Sequence, residues 1–226
     1  FSKFGPAVSV TLVTTNIVAE AGTSDAASIP AGSTLRPIAE LAGFENVVGT
    51  AVADVINGNG DANTLDGGAG ADRISAGAGN DTLIGGLGND TLNGGTGNDT
   101  YAYSGNFGSD TISDASGTDR ISITGTAVLE GTSRSGNDLI VTLSTGTIRI
   151  DDHFTTGTIE SLQVNGKTFV LANGLVGGDL PGIISGGNGS ETMDGRGGDD
   201  ILYGNNGNDT LLGGLGNDLL DGGNGR

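Results

Sequence analysis

The chain contains no cysteine and no tryptophan. Disulfides and thiolate metal sites are thereby excluded as sources of stability. Aromatic residues make up only 4% of the sequence, so no large aromatic core is available. Basic residues are scarce as well: 9 Lys and Arg stand against 27 Asp and Glu, for a formal charge of −18. That balance repels nucleic acid and anionic membrane surfaces, and it favours a cationic partner, of which a metal ion is the simplest. No apolar run approaches the ~20 residues a membrane-spanning helix needs, so no membrane insertion is expected. His153 is the single histidine. Without a second His or any Cys, a zinc site of nitrogen and sulfur ligands is excluded. There is no G-x-S-x-G elbow to support a Ser-His-Asp triad, and no Gly-rich loop ends in Lys-Ser or Lys-Thr to hold a phosphate. The sequence therefore predicts no catalytic residue and no enzyme, and His153 reads as a strand-end residue beside Phe154.

Glycine is what the chain has in quantity, at 45 of 226 residues. Ordering a Gly costs roughly 0.5–1 kcal/mol more than ordering Ala. Over the whole chain that amounts to roughly tens of kcal/mol against folding, which a small apolar core does not offset alone. An external source of stability is implied.

The glycines fall in a nine-residue repeat. From Gly67 the chain reads GGAGADRIS, AGAGNDTLI, GGLGNDTLN and GGTGNDTYA; GTAVADVIN (49–57) and GNGDANTLD (58–66) precede them. After the insertion Tyr103-Ser104, two further units follow, GNFGSDTIS (105–113) and DASGTDRIS (114–122). A second array runs from Gly186 as GGNGSETMD, GRGGDDILY, GNNGNDTLL and GGLGNDLLD, after a unit, GGDLPGIIS (177–185), that keeps only the apolar position 8. Position 8 holds Ile56, Leu65, Ile74, Leu83, Leu92, Tyr101, Ile112 and Ile121, then Ile184, Met193, Leu202, Leu211 and Leu220. Position 6 holds Asp54, Asn63, Asp72, Asp81, Asp90, Asp99, Asp110 and Asp119, then Glu191, Asp200, Asp209 and Asp218.

Elementary chemistry explains the pattern. Gly-rich positions 1–6 suit a turn with left-handed torsions and exposed carbonyls. Positions 7–9 suit a very short strand with one side chain inward. If two units make one coil, units two apart stack, with strands about 4.8 Å apart. Asp54, Asp72 and Asp90 then share one edge, and Asn63, Asp81 and Asp99 the other. At an effective dielectric near 20, like charges ~5 Å apart repel by about 3 kcal/mol, so the ladder needs a cation. Carboxylates joined by turn carbonyls offer the six or more oxygens of a flexible calcium cage, whereas Mg²⁺ demands tighter octahedral geometry. The candidate carbonyls belong to Gly58, Gly60, Gly68, Gly70, Gly77, Gly79, Gly86, Gly88, Gly95 and Gly97 in the first array. In the second they belong to Gly187, Gly189, Gly198, Gly207, Gly214 and Gly216. Asn63 keeps an oxygen but loses the charge, which predicts a weaker site, and the longer Glu191 predicts a distorted or empty one. Asp110 and Asp119 sit in units with a poor Gly pattern, and Asp66, Asp194 and Asp221 at position 9 read as turn-edge residues rather than ligands.

These arrays resemble the RTX (repeats-in-toxin) nonapeptide GGxGxDxUx, a repeat known to bind calcium in a parallel β-helix. The resemblance implies an all-β chain built on a calcium-binding parallel β-roll, with several Ca²⁺ ions as its cofactor. It divides the chain into a degenerate lead-in (1–48), a first array (49–122), a β-rich interruption (123–176) and a second array (177–226) that stops partway through a repeat. The lead-in has a strand-like run at Val8–Val13, the segment Phe44–Val48 entering the first unit, and a candidate helix over Leu35–Gly43. In the interruption, NDLIV, DDHF and IESLQV resemble the β-rich domain found beside haemolysin-type repeats. It predicts one hairpin turning at Thr145-Gly146 and another at Asn165-Gly166, the latter a type I′ signal. Such a domain is expected to interrupt or cap the roll and cover its exposed end.

The N-terminus, Phe1-Ser2-Lys3-Phe4, has no initiating Met and no cleavable signal, so the chain reads as a piece of something longer. The resemblance further implies secretion from a Gram-negative bacterium by a type I system and folding outside the cell, where calcium is plentiful. Two alternatives stand beside a calcium-dependent scaffold: a surface-layer, filament or adhesin component associating laterally or with cell-surface polysaccharide, and an accessory domain of a secreted hydrolase or polysaccharide-modifying enzyme.

Overall fold

The computed structural model describes residues 9–11, 36–38, 46–156, 159–171 and 176–225. Each nonapeptide contributes one short strand; alternate units of the first array supply two facing sheets, and in the second array Thr192–Asp194 and Thr210–Leu212 form a separate two-stranded sheet. The longer sheet orders Ser9–Thr11, Asn46–Val48, Thr64–Asp66, Thr82–Ile84, Thr100–Ser104 and Arg120–Thr124, then Ser161–Val164, Lys167–Leu171, Gly182–Ser185, Ile201–Tyr203 and Leu219–Asp221. The second orders Leu129–Ser135, Asp138–Leu143, Gly146–Ile150, Gly108–Ser113, Thr91–Thr96, Arg73–Ala78, Asp54–Asn57 and Arg36–Ile38.

Units two apart do stack in parallel. Ile56 pairs with Ile74 and Ile74 with Leu92 on one side, and Leu65 with Leu83 and Leu83 with Tyr101 on the other. Position 8 fills the interior: Ile56, Leu65, Ile74, Leu83, Leu92, Tyr101, Ile112 and Ile121 are all buried. One inward residue per strand is what a three-residue strand flanked by turns allows, because side chains alternate faces. The Tyr103-Ser104 insertion lengthens a strand and moves the stacking partner to Tyr101–Ile121. Tyr103 then buries its ring against Phe107, centroids 4.6 Å apart.

Residues 123–171 enter the sheets of the roll. Gly146–Ile150 pairs in parallel with Gly108–Ser113, and Ser161–Val164 with Arg120–Thr124. Two antiparallel hairpins follow the sequence expectation closely. Asn165 and Gly166, with φ of 49° and 85°, make the left-handed turn between Ser161–Val164 and Lys167–Leu171. The other turn falls one residue earlier than expected, since Gly146 already pairs with Leu143. A third strand, Leu129–Ser135, is added to this hairpin and was not foreseen. His153 opens a four-residue helix, His153–Thr156, instead of ending a strand, and it is fully buried with its ring edge-on to Phe154. Of the proposed helix at Leu35–Gly43, Arg36–Ile38 is a strand paired with Asp54–Ile56, and the remainder lies outside the described residues.

The hairpin at Asn165-Gly166 has a topological consequence. Ser161–Val164 runs parallel to the first array, Lys167–Leu171 runs against it, and Gly182–Ser185 pairs in parallel with the latter. The second array therefore crosses the same sheet in the reverse direction. Its core lies on the opposite face. Ile184, Met193 and Leu202 form a cluster of their own, while Ile183 and Tyr203 belong to the main core. Reversing the strands and exchanging the covered face together preserve the hand of the coil, as parallel crossovers require. The face left behind is covered by Leu129–Ser135, where buried Thr132 hydrogen-bonds Ser185 and Gly131 lies beside the Tyr203 ring.

Candidate metal centre

The turns between strands carry the charged ladder. Positive φ occurs at Gly68, Gly77, Gly86, Gly95 and Gly214 in position 2, and at Gly70, Gly79, Gly88, Gly97, Gly198, Gly207 and Gly216 in position 4. Arg196 and Asn205 hold position 2 at φ 68° without being Gly. Gly187 and Gly189, at positions 2 and 4 of the Glu191 unit, do not adopt this conformation, nor do Asn59 and Asp61 at the same positions of the Asn63 unit. The two departures at position 6 thus coincide with a different turn.

Eight of the position-6 carboxylates, Asp72, Asp81, Asp90, Asp99, Asp110, Asp119, Asp200 and Asp209, have a split role. One oxygen, Oδ1, is a structural strut accepting the backbone N–H of the position-6 residue one coil earlier. Asp72, Asp90 and Asp110 accept from Asp54, Asp72 and Asp90 at 2.7–2.8 Å. Asp81, Asp99 and Asp119 accept from Asn63, Asp81 and Asp99 over the same range. In the second array Asp200 accepts from Gly182, Asp209 from Glu191 and Asp218 from Asp200, at 2.7–3.0 Å. The other oxygen is left over. Oδ2 of Asp72, Asp81, Asp90, Asp99, Asp110, Asp119, Asp200 and Asp209 is buried with no hydrogen-bond partner. Glycine at position 1 keeps the space beside it open: a Cβ on Gly67, Gly85, Gly195 or Gly204 would collide with Oδ2 of Asp72, Asp90, Asp200 or Asp209.

Burial of these oxygens dominates their electrostatics. It pushes Asp72 and Asp110 up to about 7, with the charges of neighbouring Asp90 adding to it in both cases. The Tyr103 hydroxyl lies near Asp110 but outside hydrogen-bonding geometry. Asp81 and Asp119 rise to about 6, again chiefly through burial, despite the backbone N–H each accepts. Burial likewise raises Asp90, Asp99 and Asp200. A buried carboxylate held by a single N–H is unfavourable when ionised, and a proton or a cation must relieve it. Rows of orphan carboxylate oxygens flanked by backbone, with neither thiol nor a second imidazole in the chain, fit a hard oxygen-seeking ion of calcium's kind. Such an ion would neutralise the ladder, and Asp72, Asp81, Asp90, Asp99, Asp110, Asp119, Asp200 and Asp209 are the side chains that would hold it.

The remaining sequence candidates are differently placed. Asp54 spends its second oxygen on Thr50, accepting its backbone N–H at 2.7 Å and its hydroxyl at 2.8 Å. Asn63 accepts the Asn59 N–H at 3.0 Å, and Glu191 accepts that of Gly187 at 3.1 Å. All three carboxyl or amide groups are satisfied within their own turns. Asp218 is half-buried, at the end of its edge. Asp66, Asp194 and Asp221 at position 9 cap the following turn through Gly68, Arg196 and Gly223, as turn-edge residues do.

Two acidic residues were missed. Glu160 extends the ladder beyond the array by accepting the Asp119 N–H at 2.5 Å. Its spacing from Leu162 equals that of position 6 from position 8, which is the signal that identifies it. Asp114 stands at position 1, where most units have Gly, and its carboxylate joins those of Asp99 and Asp119.

The sequence matches the family of the RTX calcium-binding nonapeptide repeat over residues 41–74, 66–101 and 185–220. No curated relative matches the chain. The units at 105–122 lie beyond the matched stretches, yet Asp110 and Asp119 continue the same struts and the same orphan oxygens. With the repeat register, the parallel coil and the carboxylate ladder in agreement, residues 41–101 and 185–220 carry RTX calcium-binding nonapeptide repeats, and the chain folds on a parallel β-roll.

Proposed function

We propose that this chain is a calcium-triggered folding and scaffold module of a secreted bacterial protein, without catalytic activity of its own. The observation that carries the reading is the row of buried Oδ2 atoms with no partner. In the low calcium of a cytosol those groups oppose the fold, together with the net charge of −18 and the entropy of 45 glycines. Outside the cell, millimolar calcium exceeds the ~0.1–1 mM dissociation constants typical of extracellular modules. Binding then stabilises the folded state by mass action. A chain unfolded before export and folded after it suits passage through a type I secretion channel, which the family resemblance implies.

The test is far-UV circular dichroism during a calcium titration, with magnesium as the control ion. The expected result is a cooperative gain of β signal with calcium alone, reversed by a chelator. A full β spectrum after exhaustive chelation would overturn the reading and move the source of stability to the hairpin segment 123–171.

A further inference from the structure

The first array ends on a site unlike the rest of the ladder. Carboxylate oxygens of Asp99, Asp114 and Asp119 all lie within 4.8 Å of one another. Asp99 and Asp119 are 1% and 0% exposed, and each has a buried Oδ2 without a hydrogen-bond partner. Asp114 Oδ1 is also buried and unpartnered. Elsewhere on the edge position 1 carries no carboxylate; here it supplies a third one.

Within the first array position 1 is otherwise Gly or, once, the small Ala76. At Gly49, Gly58 and Gly67 a Cβ would run into a backbone carbonyl of the next coil. The next coil on the edge of Asp114 is not a nonapeptide: between Gly146–Ile150 and Ser161–Val164 the chain carries the short helix His153–Thr156 in place of a Gly-rich turn. The Asp114 side chain lies beside Gly94. A Cβ on Gly94 would strike Oδ2 of both Asp99 and Asp114 and the Tyr101 hydroxyl, so this glycine leaves a cradle lined by acceptor oxygens. Tyr101 fixes the arrangement. Its hydroxyl is donated to Asp114 Oδ2 at 2.5 Å and accepts the Gly94 N–H at 2.8 Å, leaving Asp114 Oδ1 free. Burial and the charges of Asp119 and Asp99 make ionised Asp114 unfavourable without a counter-ion.

We propose that Asp99, Asp114 and Asp119 form a three-carboxylate calcium site, held open by Gly94 and braced by Tyr101, which fills before the rest of the ladder and closes the C-terminal end of the first array. This rests on the calcium reading above and adds an order of occupancy to it. Calcium affinity rises with the number of ligand charges, and a third carboxylate is expected to tighten this site by about tenfold over its neighbours. Filling it first pins the coil from which the sheets continue into Gly146–Ile150 and Ser161–Val164.

Terbium, a hard oxygen-seeking ion that emits when sensitised by a nearby phenol, reads the site directly. The chain has 3 Tyr and no Trp, so excitation passes through tyrosine alone. In a terbium titration of the full 226-residue chain, with calcium as competitor, the first ion bound is expected to give sensitised emission. Tyr101→Phe should remove the emission of that first step and, by releasing Asp114 from its brace, move the step to higher ion concentration. Asp114→Asn and Asp114→Gly should each move the first step to about tenfold higher ion concentration, while the later steps and the gain of β signal remain. Asp114→Gly restores the residue most units carry there, so a loss of folding in the Asn variant alone leaves the comparison intact. If both Asp114 variants keep the first step in place while the chain binds calcium, this inference is wrong and the calcium reading stands. If the unaltered chain binds neither ion, both fall.

Discussion

Replacing Asp72 separates the two roles that the structure gives each ladder carboxylate. Its Oδ1 accepts the Asp54 N–H at 2.7 Å, while its Oδ2 is buried without a partner. Asp72→Asn keeps an oxygen for the strut and removes the charge; Asp72→Ala removes both. Burial moves Asp72 from 3.8 to about 7, which corresponds to roughly 2–4 kcal/mol against the ionised form once residual solvent screening is allowed for. Without calcium at neutral pH, the Asn variant should therefore be more stable than the parent by up to a few kcal/mol. The Ala variant also escapes the buried charge but strands a buried N–H, at about 1–3 kcal/mol, so it should fall below the Asn variant. In millimolar calcium the order of parent and Asn should invert, because the parent alone keeps the charged ligand. The assay is urea unfolding followed by far-UV circular dichroism, in chelator with a stabilising osmolyte and again in calcium. A crossing of the parent and Asn stabilities between the two conditions is the signature. An Asn variant less stable than the parent in chelator, or one with an unchanged calcium midpoint, would refute the division of labour between Oδ1 and Oδ2.

The ladder also predicts an acid response. Burial raises Asp72, Asp110 and Asp114 to about 7 and Asp81 and Asp119 to about 6, all from 3.8. The folded chain thus binds these protons more tightly than the unfolded chain, and the resulting stability is complete below about pH 4 and lost as pH rises through 6–7. Calcium-free protein should gain β signal on acidification across that window, and the calcium midpoint should rise over the same window as protons compete; a flat pH profile in chelator would contradict this. Backbone geometry gives a sharper local test. Gly88 has φ 138° and a Cβ there would collide with the Gly70 carbonyl oxygen, whereas Gly60 has open space and no left-handed φ. Gly88→Ala should cost more than about 2 kcal/mol and Gly60→Ala less than about 1 kcal/mol, measured by thermal unfolding in calcium; equal losses would argue against the stacked turns.

The sequence by itself determined the coil. Position 8 supplies one apolar residue per strand and position 6 one acid per turn, and a period of nine leaves few ways to bury the first while aligning the second. The stacking of Asp72 on Asp54 and of Asp81 on Asn63 follows from that period alone, as does the Asn-Gly hairpin. That the Asn63 and Glu191 units differ from the rest was legible too, since both depart from the acid the ladder repeats, and both side chains bond within their own turns. What the tertiary structure decided lies where the period breaks or where an atom's surroundings matter. Periodicity specifies that a carboxylate sits in a turn. It does not specify that Oδ1 is consumed by an amide 18 residues earlier while Oδ2 is left orphaned, because that depends on the distance between coils. Asp114 stands where most units have Gly, and only the tertiary structure shows its carboxylate beside those of Asp99 and Asp119. Nor does alternation along Gly182–Ser185 say which face is inside, since all four residues are buried. The antiparallel hairpin before it reverses the chain, and keeping the hand of the coil then forces the second core onto the opposite face of the shared sheet.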